Sequence, residues 1–128
     1  MKVQSLFLLA ASAGLLPIAL SYGLVPTQSL SFLFGIDATP VNVSHIFRAV
    51  MGLYLALLLF WILGAFRDKY QLAALYSLVV FMLGLAGGRL ISFLLDGMPH
   101  WLLAIYFALE VAFGVVGIAM IRKTESNI

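Results

Sequence analysis

The chain has 128 residues, of which 64% are hydrophobic and only 9% charged, with a mean hydropathy of +1.14. A soluble domain carries about 25% charged residues; too few polar side chains are present here to clothe a water-facing surface, so the sequence reads as a single domain integral to a membrane. A formal net charge of +2 without a long Lys/Arg run excludes a phosphate-tracking nucleic-acid surface, and the absence of cysteine excludes disulfides, thiolate metal sites and cysteine nucleophiles.

In chain order, residues 3–24 form a first apolar segment interrupted by Ser12 and Pro17. Lys2 and the run Ala11-Ser12-Ala13 have the look of a cleaved signal peptide, but the apolar stretch ahead of that site is short and continues well past it, which favours a retained spanning helix. Pro17 should kink this helix or be absorbed by local adjustment. Residues 25–43 are the longest connection. Pro26 and Pro40 keep it from spanning, yet its middle, Leu30 to Ile36, is too apolar for a free loop. The expectation is a short interfacial helix, capped by Thr27 and ended by Gly35, that covers the mouth of the bundle or anchors at the interface.

Three further spans are expected over residues 44–66, 71–95 and 100–121, the first capped by Ser44 or Asn42. Each meets the bilayer requirement of about 17–25 residues. The tight turns at 67–70 and 96–99 impose an up-down arrangement. The fold expected is thus an all-α, four-transmembrane-helix antiparallel bundle with a short interfacial helix between the first two spans. Of the seven basic residues, Arg48 and Arg89 fall inside spans, while Lys2, Arg67, Lys69, Arg122 and Lys123 all fall on one side. That asymmetry places both termini in the cytoplasm. It sets Trp61 and Tyr70 at the inner interface and Trp101 at the outer one, as aromatic belts require.

The embedded charges then sort by depth. Arg48, Arg89 and Glu110 come from three different helices and all lie in the outer half or at the midplane, Glu110 being about 15 Å into its span at 1.5 Å per residue. Helical spacing aligns His45 with Arg48 and Gly52, Arg89 with Ser92 and Asp96, and Tyr106 with Glu110, Gly114 and Gly117. Gly84 and Gly88 form a GxxxG pair one turn before the buried arginine, a spacing that permits close backbone approach. The candidate polar cluster is therefore Arg48, Arg89, Glu110, His45, Ser92, Asp96 and Tyr106. It reads in two ways. In the first, Glu110 serves only to lock helices through a buried ion pair. Alternatively, two arginines against one deep carboxylate leave a spare positive charge, with Asp96 near the surface as a possible balance, suited to an amphiphile with an anionic or carbonyl head. His45 and His100 without cysteine or paired carboxylates do not make a metal site, and no Walker motif, nucleophile elbow or HExxH is present.

The residues His45 to Leu55 around Arg48, the run Gly88-Arg89-Leu90-Ile91-Ser92 with Asp96-Gly97, and Tyr106 with Glu110 resemble a family of small four-helix bacterial membrane proteins catalogued as a domain of unknown function. A more distant similarity is to DoxX-type four-helix membrane proteins, some associated with quinone-linked oxidation. The resemblance implies an architecture in a bacterial inner membrane and supplies no reaction, catalytic residue or cofactor. The expectation is a protein that binds a lipid, quinone or similar amphiphile, or supports a larger membrane complex through a membrane-protein partner. A membrane enzyme with Glu110 as acid or base and a small transporter are the alternatives.

Overall fold

The computed structural model describes residues 1–128 as five helices and no strand: α1 (Val3–Gly23), α2 (Pro26–Phe34), α3 (Val41–Phe66), α4 (Asp68–Leu95) and α5 (Trp101–Ser126). All but α2 are long and apolar enough to cross a membrane. α1 packs along α3, α3 along α4, and α4 along α5, whereas α1 meets α4 and α5 only lightly and α3 does not approach α5. The four long helices therefore form a curved row whose two ends, α1 and α5, nearly close on each other.

The helix boundaries depart from the sequence expectation in physically legible ways. α3 starts at Val41 behind Pro40, and Ser44 does not cap it: the Ser44 hydroxyl donates to the Ala38 carbonyl at 2.8 Å. α2 starts with Pro26 in its first turn, where the missing N–H costs nothing, so Thr27 is not its cap. Its other end is as expected, with Gly35 in the left-handed region at φ 68°. Only Arg67 separates α3 from α4, because Asp68 is taken into the first turn of α4, where a carboxylate favours the helix dipole. α5 continues to Ser126, beyond the expected end, and its polar last turn is tied down: Gln4 donates to Thr124 Oγ1 at 3.2 Å and Tyr76 to Glu125 at 3.0 Å. α1 stays helical through Pro17. Between α2 and α3, Asp37 accepts from the Thr39 N–H and hydroxyl at 3.0 and 2.7 Å, which hold its carboxyl below the usual carboxylate range.

The core is an aromatic column. Tyr22 packs on Phe34, Phe47 and Tyr54, Tyr54 packs edge-on against Phe81, and Phe81 against Trp61. Trp61 is fully buried, its Nε1 donating to Ser77 Oγ at 3.0 Å, so it is a core residue and not the interfacial belt residue expected. An indole can leave the interface because a serine on the facing helix satisfies its N–H. Trp101 is exposed at the α2 end of the bundle. At the other end, Gln71 is buried and donates to Ser5 Oγ and the Gly64 carbonyl, and Lys2 pairs with Asp68 at 2.7 Å.

Close helix approach occurs at Gly23, Gly64, Gly114 and Gly117, and not at the GxxxG pair. A Cβ on Gly23 would strike the Met51 Cβ and crowd the Phe47 carbonyl and Arg48 Cα of α3; one on Gly117 would strike Val79 of α4. Around Gly84 and Gly88 there is open space, so the expected close approach there is absent. Gly23→Ala should therefore lower stability by about 1–3 kcal/mol, since rigid α3 backbone must move. Gly84→Ala and Gly88→Ala should be neutral or stabilising by up to about 1 kcal/mol from helix propensity. Thermal unfolding of the three variants in detergent checks the contrast, and equal losses at all three positions would refute it.

Candidate functional site

Glu110 reaches the interior because α5 turns its small residues toward α4. Gly114 and Gly117 sit against Leu83 and Val79, and this seam fixes the rotation of α5 so that Glu110, one turn earlier on the same stripe, points inward. It is only 7% exposed. Arg89 comes from the C-terminal third of α4 and meets it directly: Arg89 Nε lies 2.8 Å from Oε1 and 3.1 Å from Oε2. The pair lies within the hydrophobic length of the bundle, where either charge alone would be costly.

The mode of pairing matters. Arginine presents five N–H donors in a planar fork, and here only the Nε–H is engaged by the carboxylate. The face of the guanidinium lies over the Tyr106 ring at 5.8 Å from its centroid, and the Tyr22 hydroxyl stands beside it. No carboxylate or backbone carbonyl takes up the terminal amino groups. They are not sealed away either, since no buried side-chain nitrogen or oxygen lacks a partner. Arg89 and Glu110 line a crevice together with Ala11, Gly14 and Ile18 of α1, Met82 and Leu85 of α4, and Leu109 and Phe113 of α5, with a cavity volume of about 70 Å³; Arg89 also borders a second, more polar groove with Gly84, Gly88 and Ser92. This crevice occupies the gap between the two ends of the helix row. Its α1 wall is lowered at Gly14, which has open space in front of it.

α2 roofs this end of the site. Phe34 at its C-terminus packs on Tyr22 at 6.3 Å, on Tyr106 at 6.4 Å and edge-on to His100 at 5.8 Å between ring centroids. Leu30 pins the helix by full burial. The expected short helix over the bundle mouth is thus present and contributes an aromatic ring to the site.

The structure brings together Arg89, Glu110 and Tyr106 of the expected cluster and separates the rest. Arg48 and His45 are exposed and do not join it. The inward stripe of α3 is Phe47, Met51, Tyr54, Leu58 and Trp61; Arg48 follows Phe47 by one residue, about 100° around the helix, and is carried to the outer face. Ser92 and Asp96 are also exposed, and the Ser92 hydroxyl donates to Asp96 at 2.5 Å within the last turn of α4. Asp96 balances neither arginine. The interior therefore holds one arginine and one carboxylate, without the spare positive charge expected from the sequence. Tyr22, Tyr54, Phe34 and Gly14 were not singled out by sequence. A tyrosine near the end of an apolar segment reads as an interfacial anchor, and which glycine faces a gap depends on helix order.

Glu110→Gln leaves the Arg89 charge without its counterion. Breaking such a pair costs about 3–5 kcal/mol, and the lower end is expected because the Arg89 side chain keeps 22% exposure. The double variant Arg89→Gln/Glu110→Gln should recover a large part of that loss. A double-mutant cycle on thermal stability in detergent measures the coupling; simple additivity would show that the two groups are not energetically linked.

The comparisons with known proteins add no reaction. Neither a search of curated proteins nor one of solved structures gave a match. A family model described as a domain of unknown function (DUF4345) matches residues 3–121. With nearly all of α1 to α5 inside that match, the chain belongs to the DUF4345 family.

Proposed function

We propose that this protein is a membrane-embedded binding protein for an amphiphile, lipid or quinone-like, whose head accepts hydrogen bonds and whose apolar tail lies in the bilayer along the α1–α5 crevice. One observation carries the reading: Arg89 is held by a single N–H to Glu110, its other donors meet no carboxylate or carbonyl, and the pair lines an apolar crevice. A purely structural ion pair gains most from bidentate geometry, with two parallel N–H···O bonds. Here that geometry is given up and the remaining donors are left without a carboxylate. Because Glu110 neutralises the charge, a carbonyl or ester oxygen suits the site better than a full anion.

The size of the cavity sharpens the proposal. Sites that bury a whole drug-sized ligand measure about 300–1,000 Å³, against about 70 Å³ here. The protein would seat a head group, leaving the tail among lipid chains, and the ligand would enter sideways between α1 and α5. The same reading places the site toward the outer leaflet of a bacterial inner membrane. Lys2, Arg67, Lys69, Arg122 and Lys123 lie at the helix ends opposite α2, as cytoplasmic termini require. Acid-base catalysis by Glu110 draws less support, because both carboxylate oxygens face Arg89 and His45 lies on another face of the bundle.

Mass spectrometry of lipids and quinones retained after detergent exchange tests the proposal. Wild-type protein should retain an amphiphile in near-stoichiometric amount. Gly14→Leu, which fills the crevice without touching the ion pair, should deplete it at unchanged thermal stability, whereas Gly84→Leu on the open face of α4 should not. Retention that is unaffected by Gly14→Leu, or absent in the wild type, would overturn the reading.

A further inference from the structure

Arg48 is the charge left over. It lies seven residues into α3, about 10 Å from the helix start, and its side chain is exposed on the outer face of the bundle. The chain contains two salt bridges, Lys2–Asp68 and Arg89–Glu110, and Arg48 is in neither. The one carboxylate in the neighbouring loop, Asp37, accepts from Thr39 through Oδ1 and makes no ion pair with Arg48. An arginine at this depth gains from a counterion, and the chain supplies none.

The surroundings say what kind. His45 lies one turn toward the helix start on the same face, and Arg48, His45, Ser44 and Thr39 line one open groove. No side chain caps α3, so the N–H groups of its first turn add positive potential there. Toward the bilayer centre the same face continues as Ala49, Gly52 and Ala56, all exposed, with open space in front of Gly52. It ends on exposed Leu59 and Leu63. A cation with a histidine sits above a shallow, small-residue apolar track that runs along the helix. A soluble anion would have no use for the track, and an acyl chain alone would have none for the cation. We propose that this face of α3 is a binding site for an anionic phospholipid of the outer leaflet, its phosphate on Arg48 and His45 and one acyl chain along Ala49–Gly52–Ala56. The site is separate from the Arg89–Glu110 crevice and does not depend on it.

Native mass spectrometry of the full chain, exchanged into detergent with either phosphatidylglycerol or phosphatidylcholine, reads this directly. Wild type should hold one more phosphatidylglycerol than Arg48→Gln does, with the variant's retention weaker by about tenfold or more, as expected for a lost charge-assisted hydrogen bond. Arg48→Lys should retain part of the effect. Gly52→Leu, which blocks the track and leaves the cation, should also weaken retention. Soluble glycerol phosphate at equal concentration should not compete; competition would assign the site to a free phosphate. Equal retention of both lipids, or of phosphatidylglycerol by wild type and Arg48→Gln, would overturn the proposal. A change of oligomeric state in Arg48→Gln with unchanged lipid retention would also overturn it, in favour of a carboxylate on a protein partner. Arg48 is exposed, so its variants are expected to fold, and thermal unfolding checks that they do.

Discussion

A carboxylate and a guanidinium inside the bilayer-spanning length of a bundle must meet each other or leave. Desolvating either alone costs several kcal/mol, and no water-filled loop is available at that depth to relieve it. The Arg89–Glu110 contact at 2.8 Å resolves the constraint, and much of the packing follows from it. α4 and α5 must be in register at their outer halves, which the Gly114 and Gly117 seams permit by letting Leu83 and Val79 come close. α1, which carries no charge at that level, is free to pack against α3 instead. The helix row therefore closes imperfectly between α1 and α5, and the crevice is the residue of that imperfect closure.

The aromatic column provides the rigidity that such a gap would otherwise forfeit. Tyr22, Tyr54, Phe81 and Trp61 pass from α1 through α3 to α4 and tie three helices without involving α5. The α5 side is held by glycine seams and the ion pair. α1 meets the gap with its least constrained segment: Gly14 lacks a side chain, and Pro17 has no N–H to return to the Ala13 carbonyl, three and four residues being one helical turn. Openings of a helix wall in membrane proteins need such points, because elsewhere the backbone ladder must stay intact in hydrocarbon. Phe34 ties α2 to both sides by touching Tyr22 of α1 and Tyr106 of α5, so the roof and the gap are mechanically connected.

Much of this was legible in the sequence. The four spans are long apolar runs bounded by polar turns, and Gly35 announces the end of α2 through its positive φ. That Glu110 meets an arginine, Arg89 or Arg48, follows from similar depth and the cost of isolation; which of the two does not. Rotation of α3 was not legible. His45, Arg48 and Gly52 share a face as surely as Phe47, Met51 and Tyr54 do, and an apolar helix in lipid gives no amphipathic contrast to say which face turns inward. In water the polar face would be the outer one; in a membrane protein a polar face normally turns inward, and α3 breaks that expectation with an aromatic interior. Helix order was also hidden, because tight turns fix α3–α4 and α4–α5 as neighbours but leave α1 to choose between α3 and α5. That choice decides which glycines touch a neighbour, and so it explains why Gly23 is crowded while the GxxxG pair is open.

The two arginines in the half of the bundle nearer α2 show how one residue type divides its work by partner. Arg89 meets a carboxylate from its own chain, so its charge is cancelled and only directional N–H donors remain for anything else. Arg48 has no such partner, so it keeps its full charge and its long stem can carry the head toward the interface. A neutralised fork selects by hydrogen-bond geometry and favours an uncharged oxygen; a bare one selects by charge and favours phosphate. Were the inward stripe of α3 rotated by one residue, both arginines would face one carboxylate, the interior would carry a net positive charge, and α3 would lose Phe47 from the aromatic column. The apolar packing of α3 thereby settles the electrostatics of the bundle: it leaves one arginine paired with one carboxylate inside and turns the uncompensated Arg48 to the bundle's outside face.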